Sequence, residues 1–435
     1  MPSPHNNDYA KPIDGEQLMD STPLITNDAV VLGILMLILV FVLRTSHSAN
    51  PVWRKFYTIM PSLLLCYFLP SILSTLGIIS GDHSNLYFVA SRYLLPTSLV
   101  LLTISVDLKG VLELGPKAVI MFLTGTVGIV VGGPLAIWLV ALVSPETVGM
   151  GTDEVWRGMT TIAGSWIGGG ANQTAMKEVF QVDDKIFSAF VAVDVIVGYL
   201  WMGVLLYAAG RAKEIDKATG ADSSAIDKLR DKMASYHASI EKIPSVTDVM
   251  TVLGVGFGVT ALSHFLSDLI APYFAENFPI LSKFSLTSKF FWLVVIATTC
   301  GLFLSSSKKV RALEGVGASR LGTIMIYILV ATIGMKMDLR AVVDHPGLFA
   351  VGFVWISFHA LLLLGVGRLI KAPFFFLAVG SQANVGGAAS APIMAAAFHP
   401  ALAPVGVLLA VLGYALGTYA AWLCGILMQL AATGG

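Results

Sequence analysis

Charge is what this sequence has least of. Asp, Glu, Lys and Arg make up 12% of its 435 residues, about half of the roughly 25% usual for a soluble domain. So few charges cannot cover the surface of a soluble enzyme of this length. Lys and Arg number 27, and Asp and Glu number 27. No cationic excess remains to neutralise phosphates, which excludes a nucleic-acid-binding class. A hydrophobic content of 56% excludes a disordered chain. Cysteine is nearly absent. Cys66, Cys300 and Cys424 are odd in number and irregularly spaced, so they form neither a disulfide framework nor a metal cluster. They read as buried apolar thiols. Catalytic motifs are missing too: there is no His-Glu-x-x-His and no Gly-x-Ser-x-Gly, and no Lys is followed by Ser or Thr. A zincin, a nucleophile elbow and a Walker A site are thereby excluded, and the chain is read as no enzyme.

What is present is a set of long uncharged runs. No charged residue occurs across 372–435, and further such runs cover 56–81, 118–145, 158–176, 290–307 and 346–367. A helix needs about 20 apolar residues to cross the hydrocarbon core, so the chain reads as an all-α polytopic membrane protein. Residues 1–28 are polar and acidic, with Lys11 as the only cation. They lack the basic region of a signal peptide, and 29–43 is expected to be the first membrane helix.

Two segments resemble each other. Gly164-Ser165-Trp166-Ile167-Gly168-Gly169-Gly170-Ala171-Asn172 and Gly380-Ser381-Gln382-Ala383-Asn384-Val385-Gly386-Gly387-Ala388 both open with Gly-Ser, carry an Asn and contain a glycine cluster. Each precedes an apolar stretch with Gly-Tyr, at Gly198-Tyr199 and Gly413-Tyr414, and follows an Asp-Leu-cation step, at Asp107-Leu108-Lys109 and Asp338-Leu339-Arg340. Three landmarks in one order point to an internal duplication. The halves are 29–209 and 247–435, each with six hydrophobic units. They are joined by a charged connector, 210–246. Ile226, Leu229, Met233 and Tyr236 sit there at helical spacing, which suits either an amphipathic surface helix or a plain solvated linker.

The cations bear on topology. If the glycine-rich fifth units, 158–180 and 372–398, enter the membrane and return, 18 of the 27 cations fall on the connector side. If both units cross, the better orientation collects 16. The positive-inside rule therefore favours two re-entrant hairpins, with the N-terminus outside and the connector cytoplasmic. A fully crossing broken helix is the alternative. Five crossings plus a hairpin invert the second half relative to the first, the arrangement of secondary transporters.

Each glycine in the run Gly168-Gly169-Gly170 disfavours helix by about 1 kcal/mol relative to Ala. Backbone groups released inside a membrane must find partners in the protein or in a ligand. The polar groups around the first tip are Ser165, Asn172, Gln173 and Thr174, with Gly169 and Gly170. Around the second they are Ser381, Gln382, Asn384 and Ser390, with Gly386 and Gly387. These uncharged donors and acceptors suit a hydrated anion or a zwitterion. The following half-helices would aim their positive ends at an anionic group, while Asn172, Asn384 and freed carbonyls would suit a sodium ion. The plainer reading is close packing through small residues, which Ala388, Ala389, Ala391 and 395–397 also fit. Asp194 is the only charge between Lys185 and Arg211. At mid-membrane depth a lone carboxylate binds a cation or takes up a proton, which suits ion coupling; the plainer reading is a hydrogen-bonded structural Asp. His359 reads as a hydrogen-bonded core residue rather than a proton relay.

On the two Gly-Ser motifs the chain resembles the YjcL-like family of integral membrane proteins of unknown function, over most of its length beyond residue 28. More distantly, the glycine-rich hairpins resemble those of sodium/citrate and sodium/glutamate symporters. That resemblance implies tips that bind a carboxylate solute and sodium, placing Ser165, Asn172, Ser381, Gln382 and Asn384 at the site. It also implies elevator-type movement, often in a homodimer. Those symporters usually supply an Arg to the solute, and no Arg falls at the predicted membrane centre here. This turns the expectation from di- and tricarboxylates toward amino acids, small peptides or monocarboxylates. The expected function is cation-coupled symport of a small organic solute across the plasma membrane. Cation/proton antiport is the alternative, with a channel or an intramembrane enzyme more remote. No cofactor beyond sodium is expected.

Overall fold

The computed structural model describes residues 23–60, 62–106, 108–149, 154–222, 226, 244–284, 286–337, 346–399 and 402–433. Asp107, Asp338 and Arg340 of the repeat landmarks lie outside the described residues, as does most of the connector, including Leu229, Met233 and Tyr236. The described chain is helical, with no strand among the described residues. In the first half the main helices are α1 (Asp28–Ser46), α2 (Pro51–Ile59), α3 (Ser62–Thr75), α4 (Leu86–Thr103), α5 (Pro116–Ala141), α6 (Glu154–Val179) and α7 (Asp184–Ala209). A short α8 (Ala212–Thr219) opens the connector. In the second half they are α9 (Val246–Asn277), α10 (Lys289–Ser305), α11 (Ala318–Gly334), α12 (Gly347–Leu369), α13 (Phe374–Val385), α14 (Gly387–Phe398) and α15 (Ala403–Thr433).

Local chemistry sets several starts. The Asn27 side chain accepts from Ala29 N–H at 2.9 Å, and Asn50 caps α2 ahead of Pro51. Asp183 caps α7 through Lys185 N–H. Ser245 and Asp248 form a capping box on α9, satisfying two of the donors that a helix start leaves open. Among the described residues, seven helices are long and apolar enough to cross a membrane, or eight if the bent segment at 289–316 counts as one. In α1 and α9 only 22% of the apolar window is buried. Leu37, Phe41, Phe257, Phe265 and Leu269 point outward, an apolar surface that only lipid or another apolar partner can cover. The molecule is an all-α polytopic membrane protein.

Packing sorts the helices into two bodies. α1, α3, α4, α9, α10 and α11 pack mainly with one another. So do α5, α6, α7, α12, α13, α14 and α15. The first body takes the first three hydrophobic units of each half, and the second body takes the last three.

The second body is built around two folded-back segments. A straight helix of 26 residues, the length of α6, would hold its ends about 38 Å apart. In α6 the ends meet instead. The Trp156 and Phe180 rings lie 5.7 Å apart, and Arg157 Nη1 donates to Phe180 O at 2.7 Å. A Cβ on Gly164 would stand 2.5 Å from Asn172 O. The reversal occurs at Gly169, with φ 71° and ψ −172°, a backbone region open essentially to glycine alone. α13 and α14 do the same around Gly386 and Gly387, the latter at φ 55°. Phe375 and Phe398 close that base with ring centroids 5.2 Å apart.

The two hairpins approach from opposite ends of the body. α7 begins at the base of the first, where Lys177 Nζ meets Asp184 Oδ1 at 2.7 Å. Its continuation α8 reaches the base of the second, where Phe374 N–H donates to Asp216 Oδ1 at 2.7 Å. α15 runs the other way. A Cβ on Gly406 would stand 2.3 Å from Ala391 O in α14, and one on Gly425 would stand 2.3 Å from Phe180.

Candidate functional site

The tips meet at the centre. A Cβ on Gly387 would lie 3.8 Å from Gly169 Cα. Gly169, Gly170, Gly386 and Ser165 keep partial solvent access there, whereas Asn172, Gln173, Thr174, Ser381, Gln382, Asn384, Gly387 and Ser390 are buried. The residues expected at the site therefore do come together.

Their polar groups are used unevenly. Asn172 Nδ2 donates to Gly168 O at 3.0 Å and Tyr414 O at 3.1 Å, and its Oδ1 accepts from Thr418 at 2.7 Å. Asn384 repeats the pattern: Nδ2 donates to Gly380 O and Phe122 O, both at 2.9 Å, and Oδ1 accepts from Thr126 at 2.8 Å. Each Asn thus fastens its tip to a crossing helix, α15 for the first and α5 for the second. Both amide donors are spent on the protein, and only the second lone pair of each Oδ1 stays open. Thr174 donates to Gly170 O at 3.0 Å, a side-chain bond back along the first turn of the second arm.

Ser381 sits in a directed chain. Trp201 Nε1–H donates to Ser381 Oγ at 2.8 Å, and Ser381 Oγ lies 2.8 Å from His359 Nε2. His359 Nδ1 lies 3.0 Å from Gly125 O. A carbonyl only accepts, so Nδ1 carries the proton; in the neutral ring Nε2 then accepts from the Ser381 hydroxyl.

Asp194 lies on α7 beside the first tip, almost fully buried. Gln173 Nε2–H donates to its Oδ2 at 2.8 Å. The Ser165 hydroxyl also lies against this carboxylate. Tyr67 donates to Gln173 Oε1 at 3.3 Å, and Tyr67 belongs to α3 of the other body. The carboxylate is therefore two bonds away from the boundary between bodies. Thr298 of α10 approaches Thr418 at 3.1 Å and makes a second polar crossing of that boundary.

Two buried polar atoms at the tips have no hydrogen-bond partner: Trp166 Nε1 and Gln382 Oε1. The Trp166 indole faces the Asp194 carboxylate but stands outside hydrogen-bond geometry. Gln382 Nε2 is held by Ser390 Oγ at 2.9 Å, which turns Oε1 away from that bond. These are the third residues of the two Gly-Ser motifs.

Sequence reasoning passed over Trp166, Trp201, Thr126 and Thr418, and also a charged cluster at the base of the first hairpin. There Lys177 pairs with Asp184, Lys336 Nζ lies 3.4 Å from Asp184 Oδ2 and 3.8 Å from Asp82 Oδ1, and Arg92 Nη2 pairs with Glu178 at 2.9 Å. Tyr87 bonds Glu178 and lies 3.3 Å from Lys177 Nζ. Tyr87, Arg92, Lys336 and Asp82 come from the first body or its loops, so the cluster ties the two bodies together at that end. Trp166 had a legible signal, its place in the repeated motif; the others had none beyond composition.

Fold and site define an all-α polytopic membrane protein with two folded-back helical hairpins whose tips meet beside a buried carboxylate. A family model described as a protein of unknown function, DUF819, matches residues 33–431, and the chain belongs to that family. It is 25% identical over 358 residues to the uncharacterized membrane protein YjcL of Bacillus subtilis (strain 168), a match covering 80% of this chain and 85% of the relative.

Proposed function

We propose that this protein is a secondary active transporter: a symporter that couples a small organic solute to sodium or protons. The observation that carries the reading is the pair of hairpin tips meeting from opposite ends beside Asp194, among the described residues the one carboxylate buried there. Broken backbone is tolerated at membrane depth where it lines a site, and a site approached from both ends suits alternating access. The halves are read as inverted repeats, because α7 and α15 follow their hairpins in opposite directions. The body holding the hairpins is the moving one and the other is the scaffold, in an elevator-type motion. The scaffold's exposed α9 face is the surface for a homodimer. The N-terminus lies outside and the connector in the cytoplasm, in the plasma membrane.

Asp194 favours a second reading, cation/proton antiport, since a lone carboxylate can exchange one for the other. Uptake into proteoliposomes separates the two. Under symport, an imposed sodium or proton gradient drives solute inward. Sodium-induced alkalinisation or acidification of the lumen without any solute flux marks antiport and ends the symport reading. Asp194→Asn should abolish or uncouple either process; unchanged coupling in that variant would reduce Asp194 to a structural residue.

A further inference from the structure

We propose that the hairpin tips form a binding site for a small zwitterion of the α-amino-acid type, with Trp166 Nε1–H and Gln382 Oε1 as its two side-chain anchors. This rests on the transporter reading and narrows its solute. The two atoms are buried and have no hydrogen-bond partner. Leaving such groups bare is costly, and native proteins generally satisfy them with protein, water or ligand. One is a donor and the other an acceptor, and they sit at the matching position of each motif, on facing hairpins. A Cβ on Gly198 would stand 3.5 Å from Val385 Cγ1 and 4.0 Å from Trp166 Nε1. Trp166 Nε1 thus lies where α7 meets the second hairpin at Val385, and Gln382 lies one helical turn before Val385 on the same face of α13.

Charge selects the class of ligand. Among the described residues, Asp194 is the one carboxylate buried at the tips, and no buried Lys or Arg accompanies it there. An excess anionic charge on the solute would have no counter-ion, which excludes di- and tricarboxylates. Asp194 and Gln382 Oε1 are acceptors and suit an ammonium group. Trp166 N–H, together with the N-terminal end of the second arm at Gly170, supplies donors and a positive dipole end for one carboxylate. Donors and acceptors gathered where the two tips meet α7 match a ligand that carries both groups on one carbon.

The test is calorimetry and thermal shift on the full chain in lipid nanodiscs, with and without sodium. The probes are the twenty common L-amino acids, each compared with its deaminated acid and its decarboxylated amine. At least one amino acid should bind, with both truncated forms at least tenfold weaker. Trp166→Phe and Gln382→Leu should each weaken that amino acid at least tenfold while the ligand-free melting temperature is kept. Equal binding of an acid or an amine alone overturns the proposal, as does unaltered affinity in both variants. The ligand panel decides by itself if a variant fails to fold. Binding by none of the twenty also overturns it. Ion-driven flux that persists in proteoliposomes would then leave the transporter reading standing, and absence of any flux would remove that reading too.

Discussion

Gly169 shows how one residue decides the course of a helix. Its φ of 71° and ψ of −172° turn a segment whose neighbours are all helical. Gly169→Ala forces a side chain into that conformation, at a cost of about 1–3 kcal/mol. A lower melting temperature with loss of ligand response is the expected result, measured on the purified variant. Asp216 works at the opposite end. It is buried and accepts the Phe374 N–H, one of the open donors at the start of α13. Burial raises its carboxyl above the ordinary value, while the Phe374 bond works against that shift. A group with its folded pKa raised favours the folded state at low pH, and that contribution is lost as pH rises through the raised value. The difference in melting temperature between wild type and Asp216→Asn should therefore depend on pH just above the usual carboxylate range. Asp216→Asn keeps an acceptor, whereas Asp216→Ala strands the Phe374 N–H and should cost about 1–3 kcal/mol. Thermal unfolding of both variants across pH checks this.

At the level of elements, the glycine clusters and the absence of charge marked the two segments that fold back, because a released backbone in a membrane needs neighbouring polar groups. The role of those polar groups was less legible. Asn172 and Asn384 read as ligand groups from their spacing. Their bonds to Tyr414 O, Thr418, Phe122 O and Thr126 depend on helices more than 200 positions away, and no local pattern announces them. The fold-back predicts labelling. In a Cys300→Ser background, cysteines introduced at Val155 and Gln181 should react with an impermeant maleimide from the same side of the membrane, and one at Leu369 from the other. Reaction of the first two from opposite sides would mean that α6 crosses.

At the scale of the whole molecule, the helices divide into two bodies. The boundary is crossed at the centre by Thr298–Thr418 and Tyr67–Gln173 and at one end by the Arg92, Lys336, Lys177 and Glu178 cluster. If one body moves past the other, these contacts must part. A cross-link between cysteines replacing Thr298 and Thr418, whose hydroxyls lie 3.1 Å apart, should arrest transport, and a reductant should restore it. Transport that continues in the oxidised double variant would place the moving boundary elsewhere.

Composition by itself determined the membrane class, since 12% charge and long uncharged runs leave no soluble surface to build. Uncharged runs and repetition marked the twelve hydrophobic units and the two glycine-rich segments where the chain can break, because glycine runs act locally on the backbone; whether those segments fold back or cross stayed open. Only the tertiary structure decided which units share a body, that the hairpins meet tip to tip, and which polar atoms at the tips stay open. Those outcomes depend on contacts between the two halves of the chain. Trp166 and Gln382 look no different from Asn172 and Asn384 in the sequence; they are set apart by whether another helix arrives to satisfy them.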